Sequence, residues 1–500
     1  MGFLLCLAAG LFAMPAEADD RLKSAPPDTT PYSRALAPED VDPLNTGQSL
    51  PGSATGVFVR DAVVSENQSR LRRTDTFNDG EVSVAVDPRN PSQIVMTAFS
   101  GAWNGADPVN TMAPIWRSSD GGRIWAKLFH VGAPPRAAGI DGCPCDQTID
   151  FTAAGKFAGA FLTVSPDNIY SALDSVTVIP NTSYFESPPG TAQATNHLDG
   201  VNDEDQPWLL AGFDTIYVAY DDFNTSPDMH VAAGSAATQL QFTVDNIDGF
   251  SIGPINPGHR LAIGTKPGTV YSLFQRGIGA GAGGSVNIDY MLNRSTDGGN
   301  SWSLNGSTTG IVVANADSTQ PTPKFCTVNA LLGGVDHAAV DPTTGDVIYV
   351  YGNRDPISGS NRLAMRRLSD NGSGGLTIGP EMFITGQVQA AIPSVAVTRH
   401  GVIGVFYYTC DGTSRSGFPK FTAHFAFSKN GGRTFTTRNL ESFLSPATDD
   451  GDDRQRVLGD YMQVKAVGNT FYGGFTGNGA PFGRKLSNND PIFYKLTVRK

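Results

Sequence analysis

Five carboxylates and a tyrosine stand at the head of short apolar stretches in this chain: Glu81, Asp146, Asp205, Asp336, Asp460 and Tyr461. Arg260 and His337 occupy the same place in two of these stretches, and Arg456 lies just before Asp460. If the stretches are strands that converge, these side chains meet. A group of this kind could cleave a glycosidic bond, with one carboxyl as general acid and a second carboxylate, or Tyr461, as nucleophile or base. Crowded carboxylates push one pKa upward, which an acid working at neutral pH requires. Glu81, Asp146, Asp205, Asp460 and Tyr461 are therefore the candidate catalytic residues. Arg260, Asp336, His337 and Arg456 are the candidates for holding substrate, the guanidinium groups suiting an acidic sugar. The same oxygens could instead bind Ca2+. Against this, polar residues at strand starts satisfy backbone groups at loop junctions, and a one-residue register error turns a side chain from the centre into the sheet.

Other chemistries lack their motifs. There is no H-E-x-x-H, no Cys/His zinc spacing and no G-x-S-x-G elbow. Asp449-Asp450-Gly451-Asp452-Asp453 alternates oxygen donors around a glycine but departs from the full calcium-loop pattern, and reads as a solvated loop. The glycine run 277–284 lacks the strand-loop-helix setting of a phosphate loop and reads as a flexible insertion.

The elements that must position these residues are short strands. With 57 Gly, 33 Pro and 17% charged residues, the composition favours strands joined by many turns over long amphipathic helices. Ala85-Val86-Asp87-Pro88 and Ala339-Val340-Asp341-Pro342 each close one apolar strand, turn, and re-enter another. The same unit recurs more loosely at 148–162, 208–220, 261–274, 394–408 and 462–475. The mean repeat is about 63 residues, longer than the roughly 40–50 of common repeats of this type, so long loops are expected. The predicted fold class is all-β, with seven four-stranded units, or six and an insertion.

A second repeat names the architecture. Ser295-Thr296-Asp297-Gly298-Gly299-Asn300-Ser301-Trp302 recurs at Ser118–Trp125 and, weakened, at Ser428–Phe435. The short polar side chains bond back to the turn, the glycines supply positive φ, and the aromatic packs sideways. The pattern resembles the Asp-box (BNR) repeat of the sialidase superfamily. That resemblance implies a β-propeller over residues 56–500, with the boxes on the outer rim and the strand at 56–64 closing the last blade. It also implies a glycan or polysaccharide as partner. The Arg-Ile-Pro motif of sialidases does not occur here, and Arg72, Arg73, Arg260 and Arg456 are the available guanidinium groups. The resulting expectation is a glycoside hydrolase working at the channel mouth. A non-catalytic propeller that binds glycans or proteins is the alternative, and a polysaccharide lyase with Tyr461 or His337 as base is a third.

Residues 1–18 read as a signal peptide with an apolar run from Phe3 to Met14 and an Ala16-Glu17-Ala18 cleavage site, and residues 19–55 as a flexible linker. A secreted or periplasmic protein is expected. No later stretch reaches the ~20 apolar residues of a membrane span. The formal net charge of −12 would repel nucleic-acid phosphates. Cys143, Cys145, Cys326 and Cys410 remain after cleavage, an even count that favours disulfides in an exported chain.

Overall fold

The computed structural model describes residues 56–67, 78–101, 111–131, 144–163, 172–178, 194–198, 204–222, 228–235, 241–251, 255, 258–320, 323–453, 455–484 and 488–499. Residues 1–55, which cover the expected signal peptide and linker, lie outside these residues, as do Arg72, Arg73 and Cys143. Strand pairing gives seven antiparallel sheets, six of them built from consecutive strands. The seventh takes its fourth strand from the other end of the chain. Phe58–Asp61 pairs with Asn489–Thr497, placing Phe58 opposite Lys495. The N-terminal strand thus completes the last blade, leaving its outer strand paired rather than exposed.

The innermost strands are Asp79–Val86, Pro144–Phe151, Glu204–Gly212, Arg260–Ile263, Asp336–Val340, Ala390–Val397 and Gln463–Val467. Each packs against the next, and the last returns to the first, so they surround a central channel. Strands enclosed by neighbours on both faces need apolar residues at successive positions. Asp79–Val86 and Ala390–Val397 are accordingly buried along their whole length. Around the channel, side chains of one strand also catch the backbone of the next. Ser83 Oγ accepts the Ile149 amide at 3.0 Å, Thr148 Oγ1 that of Leu209 at 2.7 Å, and Ser394 Oγ that of Val464 at 3.1 Å. His337 does the same through Nδ1, accepting the Val395 amide at 3.2 Å.

The three repeated turns fall between the third and fourth strands of the first, fourth and sixth blades. Ser295 Oγ accepts the Gly299 amide at 2.8 Å and donates to Asp297 Oδ1 at 2.7 Å, while the Ser301 amide donates to Asp297 Oδ1 at 2.9 Å. Ser118 and Ser428 repeat the first two contacts. Gly298 and Gly299 take φ of 79° and 94°, which other residues resist. The aromatic closes the gap between blades: Trp125 lies edge-on to Phe493 of the seventh blade at 5.3 Å. Ser295→Ala is expected to cost about 1–2 kcal/mol, because two amides and a carboxylate lose one hydroxyl; urea denaturation would read it, and an unchanged midpoint would remove the turn from the stability account.

The glycine run is not a loop insertion. Val270–Ala280 and Val286–Ser295 form one long hairpin, capped by a 3-10 turn at Ala282–Gly284. Gly277 and Gly279 sit within its paired strand, pairing with Ile288 and Asn287.

Candidate active site

Four innermost strands carry the same irregularity near their starts. The register shifts between Gly80 and Ser83, Cys145 and Thr148, Asp205 and Trp208, and Ala391 and Ser394. At each bulge one residue takes a left-handed conformation: Glu81, Asp146, Gln206 and Ile392, with φ between 47° and 54°. A bulge re-aims a side chain, and holding a non-glycine residue at positive φ costs energy that the surrounding contacts must offset. Asp205 is therefore one residue off the position that Glu81 and Asp146 share, and Gln206 holds it. In the sixth blade the equivalent is apolar Ile392.

The structure brings all nine sequence-predicted residues to one end of the channel and buries them, none more than 7% exposed. Arg456 is the hub. It pairs with Asp460 and lies 3.5 Å from Glu81 Oε1, and the charges of Glu81, Asp146, Asp205 and Asp460 all act on it. The Asp460 amide donates to Glu81 Oε1 at 3.1 Å. Burial, then the charges of Glu81 and Asp205, hold the Asp146 carboxyl well above its ordinary pKa, and its side chain hydrogen-bonds Glu81. Burial raises Asp460 to about 7, against the opposing pull of Arg456. Burial among like charges thus makes Asp146 and Asp460 hold their protons more tightly than usual.

Arg260 lies on the other flank, stacked over Trp208 at 4.6 Å and Tyr461 at 5.3 Å from the ring centroids, with Gln206 Oε1 accepting from it at 3.3 Å. Tyr461 donates its hydroxyl to Gln147 O at 3.1 Å. Burial and the charges of Glu81 and Asp146 hold its phenol well above the usual range, which opposes a tyrosinate base. Asp336 accepts from Gln275 at 2.6 Å and from Tyr349 at 2.5 Å, and burial raises it to about 6. Burial, then the charges of Arg260 and Lys465, lower His337 to about 3. His337 is therefore neutral at physiological pH.

The expectation of a ring open at the channel mouth is corrected by a strap. The segment 323–335, between the fourth and fifth blades, crosses over the cluster. The Leu332 amide donates to Asp460 Oδ1 at 3.1 Å, and Gln206 Nε2 donates to Leu332 O at 2.6 Å. Asn329 accepts the Leu458 amide at 2.8 Å and donates to Gly459 O at 3.0 Å. A Cβ on Gly334 would fall 2.3 Å from Asp460 O, so backbone here approaches as only glycine permits. The strap is fastened twice more. Cys326 is bonded to Cys410 of the sixth blade, and Lys324 Nζ reaches Asp449 Oδ1 at 2.6 Å. The acidic loop at 449–453 thus holds a lysine, and among the described residues no group of three His, Cys, Asp or Glu side chains is placed to hold a metal. Gln147, Gln206 and Asn329 were not singled out from the sequence, although the repeated Asp-Gln at 146–147 and 205–206 was a usable signal.

Channel, blades and rim turns define the architecture. The chain is a β-propeller. No protein-family model matches it, and no curated protein matches its sequence. Among solved structures it is similar to an α-L-arabinofuranosidase from Fusarium graminearum, at 12% identity over 67% of this chain and 93% of that one, with TM-score 0.38. A Penicillium chrysogenum α-L-arabinanase solved with arabinobiose matches at 12% identity over 84% and 96%, TM-score 0.37. The NanB sialidase of Streptococcus pneumoniae matches at 10% identity over 75% and 70%, TM-score 0.38. At such identities function has to be argued from this propeller's own residues. Among the described residues no helix is long and apolar enough to cross a membrane.

Proposed function

We propose that this propeller is an exported glycan-acting protein that hydrolyses glycosidic bonds, with Asp146 as proton donor and Glu81, steadied by Arg456, as its carboxylate partner. The observation that carries the reading is the buried Asp146 hydrogen-bonded to Glu81 beside a guanidinium, its carboxyl held above its ordinary pKa by burial and then by the charges of Glu81 and Asp205. A carboxyl that holds its proton more tightly than usual, next to a second carboxylate, is what acid-assisted cleavage needs. The charge of Asp205 adds to that of Glu81 in holding the Asp146 proton, while Arg260 supplies a second cation for an acidic sugar. The neutral His337 and the high pKa of Tyr461 give less support to a lyase, which needs a strong base there. The strap covers the cluster, so this reading requires it to move before substrate can enter.

Burial favours a second reading, in which the cluster ties the blades together and the propeller only binds glycans or proteins. An activity screen on sialosides and on acidic and neutral polysaccharides separates the two. Hydrolysis by the wild type that falls a hundredfold or more in Asp146→Asn, with the melting temperature preserved, is the expected result. Retention of a glycan without turnover would replace the enzyme with the binding module, and full activity in the variant would remove Asp146 from the chemistry.

A further inference from the structure

The channel has a second chamber, on the far side of Trp208 and His337 from the acid cluster. It is a cavity of about 180 Å³ whose lining includes Asp150, Trp208, His337, Gln463 and Lys465 among apolar walls such as Ile263 and Val397. Leu210, Ile263, Ala339 and Ala466 at its outer end are half-buried, so it opens on the face opposite the strap.

Its polar groups are nearly all donors. Ser83 Oγ accepts the Ile149 amide and so turns its own proton to Gln463 Oε1, at 2.8 Å. That contact fixes the Gln463 amide and leaves Nε2, buried, without an acceptor among the described residues. Trp208 Nε1 is buried in the same condition. His337 Nδ1 accepts the Val395 amide, so the neutral ring carries its proton on Nε2. Lys465 Nζ lies 3.1 Å from Asp150 Oδ2 without a hydrogen bond of good geometry. Asp150 is already engaged by the amides of Phe151 at 2.9 Å and Ala211 at 3.0 Å.

Buried donors without acceptors are costly, and a chamber that collects them around a cation is complementary to an acceptor with negative charge. Burial first, then the charges of Arg260 and Lys465, hold the His337 pKa down. We propose that this chamber binds a small anion bearing carboxylate or inorganic oxyanion oxygens, held by Trp208 Nε1, His337 Nε2, Gln463 Nε2 and Lys465 Nζ. A volume below the roughly 300–1,000 Å³ of drug-sized sites confines it to few heavy atoms. The apolar walls suit an organic carboxylate; sulfate or phosphate presents the same oxygens. The site is independent of the hydrolytic reading, because none of the carboxyls assigned to bond cleavage lines it.

Isothermal titration of the full protein with acetate, sulfate and uncharged acetamide tests the assignment. Saturable binding of acetate or sulfate without binding of acetamide is expected, and which anion binds more tightly identifies the source. Lys465→Met should weaken binding at least tenfold, Trp208→Phe severalfold, and Asp150→Asn should strengthen it by removing the chamber's negative charge. A packing role for these residues would not produce opposite signs at positions 465 and 150. Absence of saturable binding by either anion at tens of millimolar, or unchanged affinity in the folded Lys465→Met protein, would overturn the proposal.

Discussion

Arg456→Met is expected to destabilise the protein by about 3–5 kcal/mol at neutral pH, the cost typical of removing one member of a buried ion pair. Methionine keeps much of the side-chain volume, so packing alone would account for little of that loss. The electrostatic cost is large because Arg456 is buried and faces Glu81, Asp146, Asp205 and Asp460 together. Without it those carboxyls must take up protons or lose their positions. The cost therefore depends on pH with a definite sign. Near pH 4–5 protons replace the guanidinium and the variant approaches wild type; near pH 8 the penalty is full. Adding Asp460→Asn to Arg456→Met should recover part of the loss, since it removes the carboxylate paired directly with the guanidinium. Guanidinium chloride denaturation at pH 5 and pH 8 would read all three proteins. A pH-independent deficit would show that Arg456 acts by filling space, and the hub would have to be abandoned.

Much of the ring was legible in the sequence because its determinants are local. A Ser-x-Asp/Asn turn satisfies its own hydrogen bonds within eight residues, as Ser295 and Asp297 do, and the Ala-Val-Asp-Pro unit that ends one strand and turns into the next is local too. The closing strand at Phe58 was legible by resemblance. The candidate cluster was legible in membership but not in state. Glu81 and Asp146 meet because their strands bulge, and a bulge is set by neighbours as well as by sequence. The same bulge moved the equivalent position in the third blade from Asp205 to Gln206. The strap could not be read at all. Its hold on the cluster runs through Asn329, Leu332 and Gly334, whose partners lie more than a hundred residues away in the chain or depend on backbone meeting backbone. The glycine run misled for the converse reason: Gly277 and Gly279, which suggest freedom, are held by pairing with Ile288 and Asn287.

Asp336→Asn should gain stability relative to wild type as pH rises from 4, reaching about 3 kcal/mol at pH 7. In the folded protein burial raises Asp336 to about 6 from an ordinary 3.8. Below pH 4 the carboxyl is protonated in both states. Between pH 4 and 6 the unfolded chain ionises while the fold retains its proton, so the stability linked to this group is present at low pH and lost as pH rises through about 6. A separation of this size is worth about 3 kcal/mol. Asparagine mimics the protonated acid and can keep its contacts. Its oxygen accepts from Gln275 Nε2, while the Tyr349 hydroxyl, which also reaches Met291 O at 3.2 Å, can donate there and accept from the new amide. His337 next along the strand has the opposite sign. Its pKa is lowered to about 3, so its contribution is present above about 6.5 and lost as pH falls. In wild type the two neighbours partly cancel between pH 4 and 6; in Asp336→Asn the histidine acts unopposed, and stability should climb with pH. Parallel denaturation curves for the two proteins across this range would mean that Asp336 ionises as easily in the fold as in water, and the burial of the cluster would lose its main electrostatic consequence.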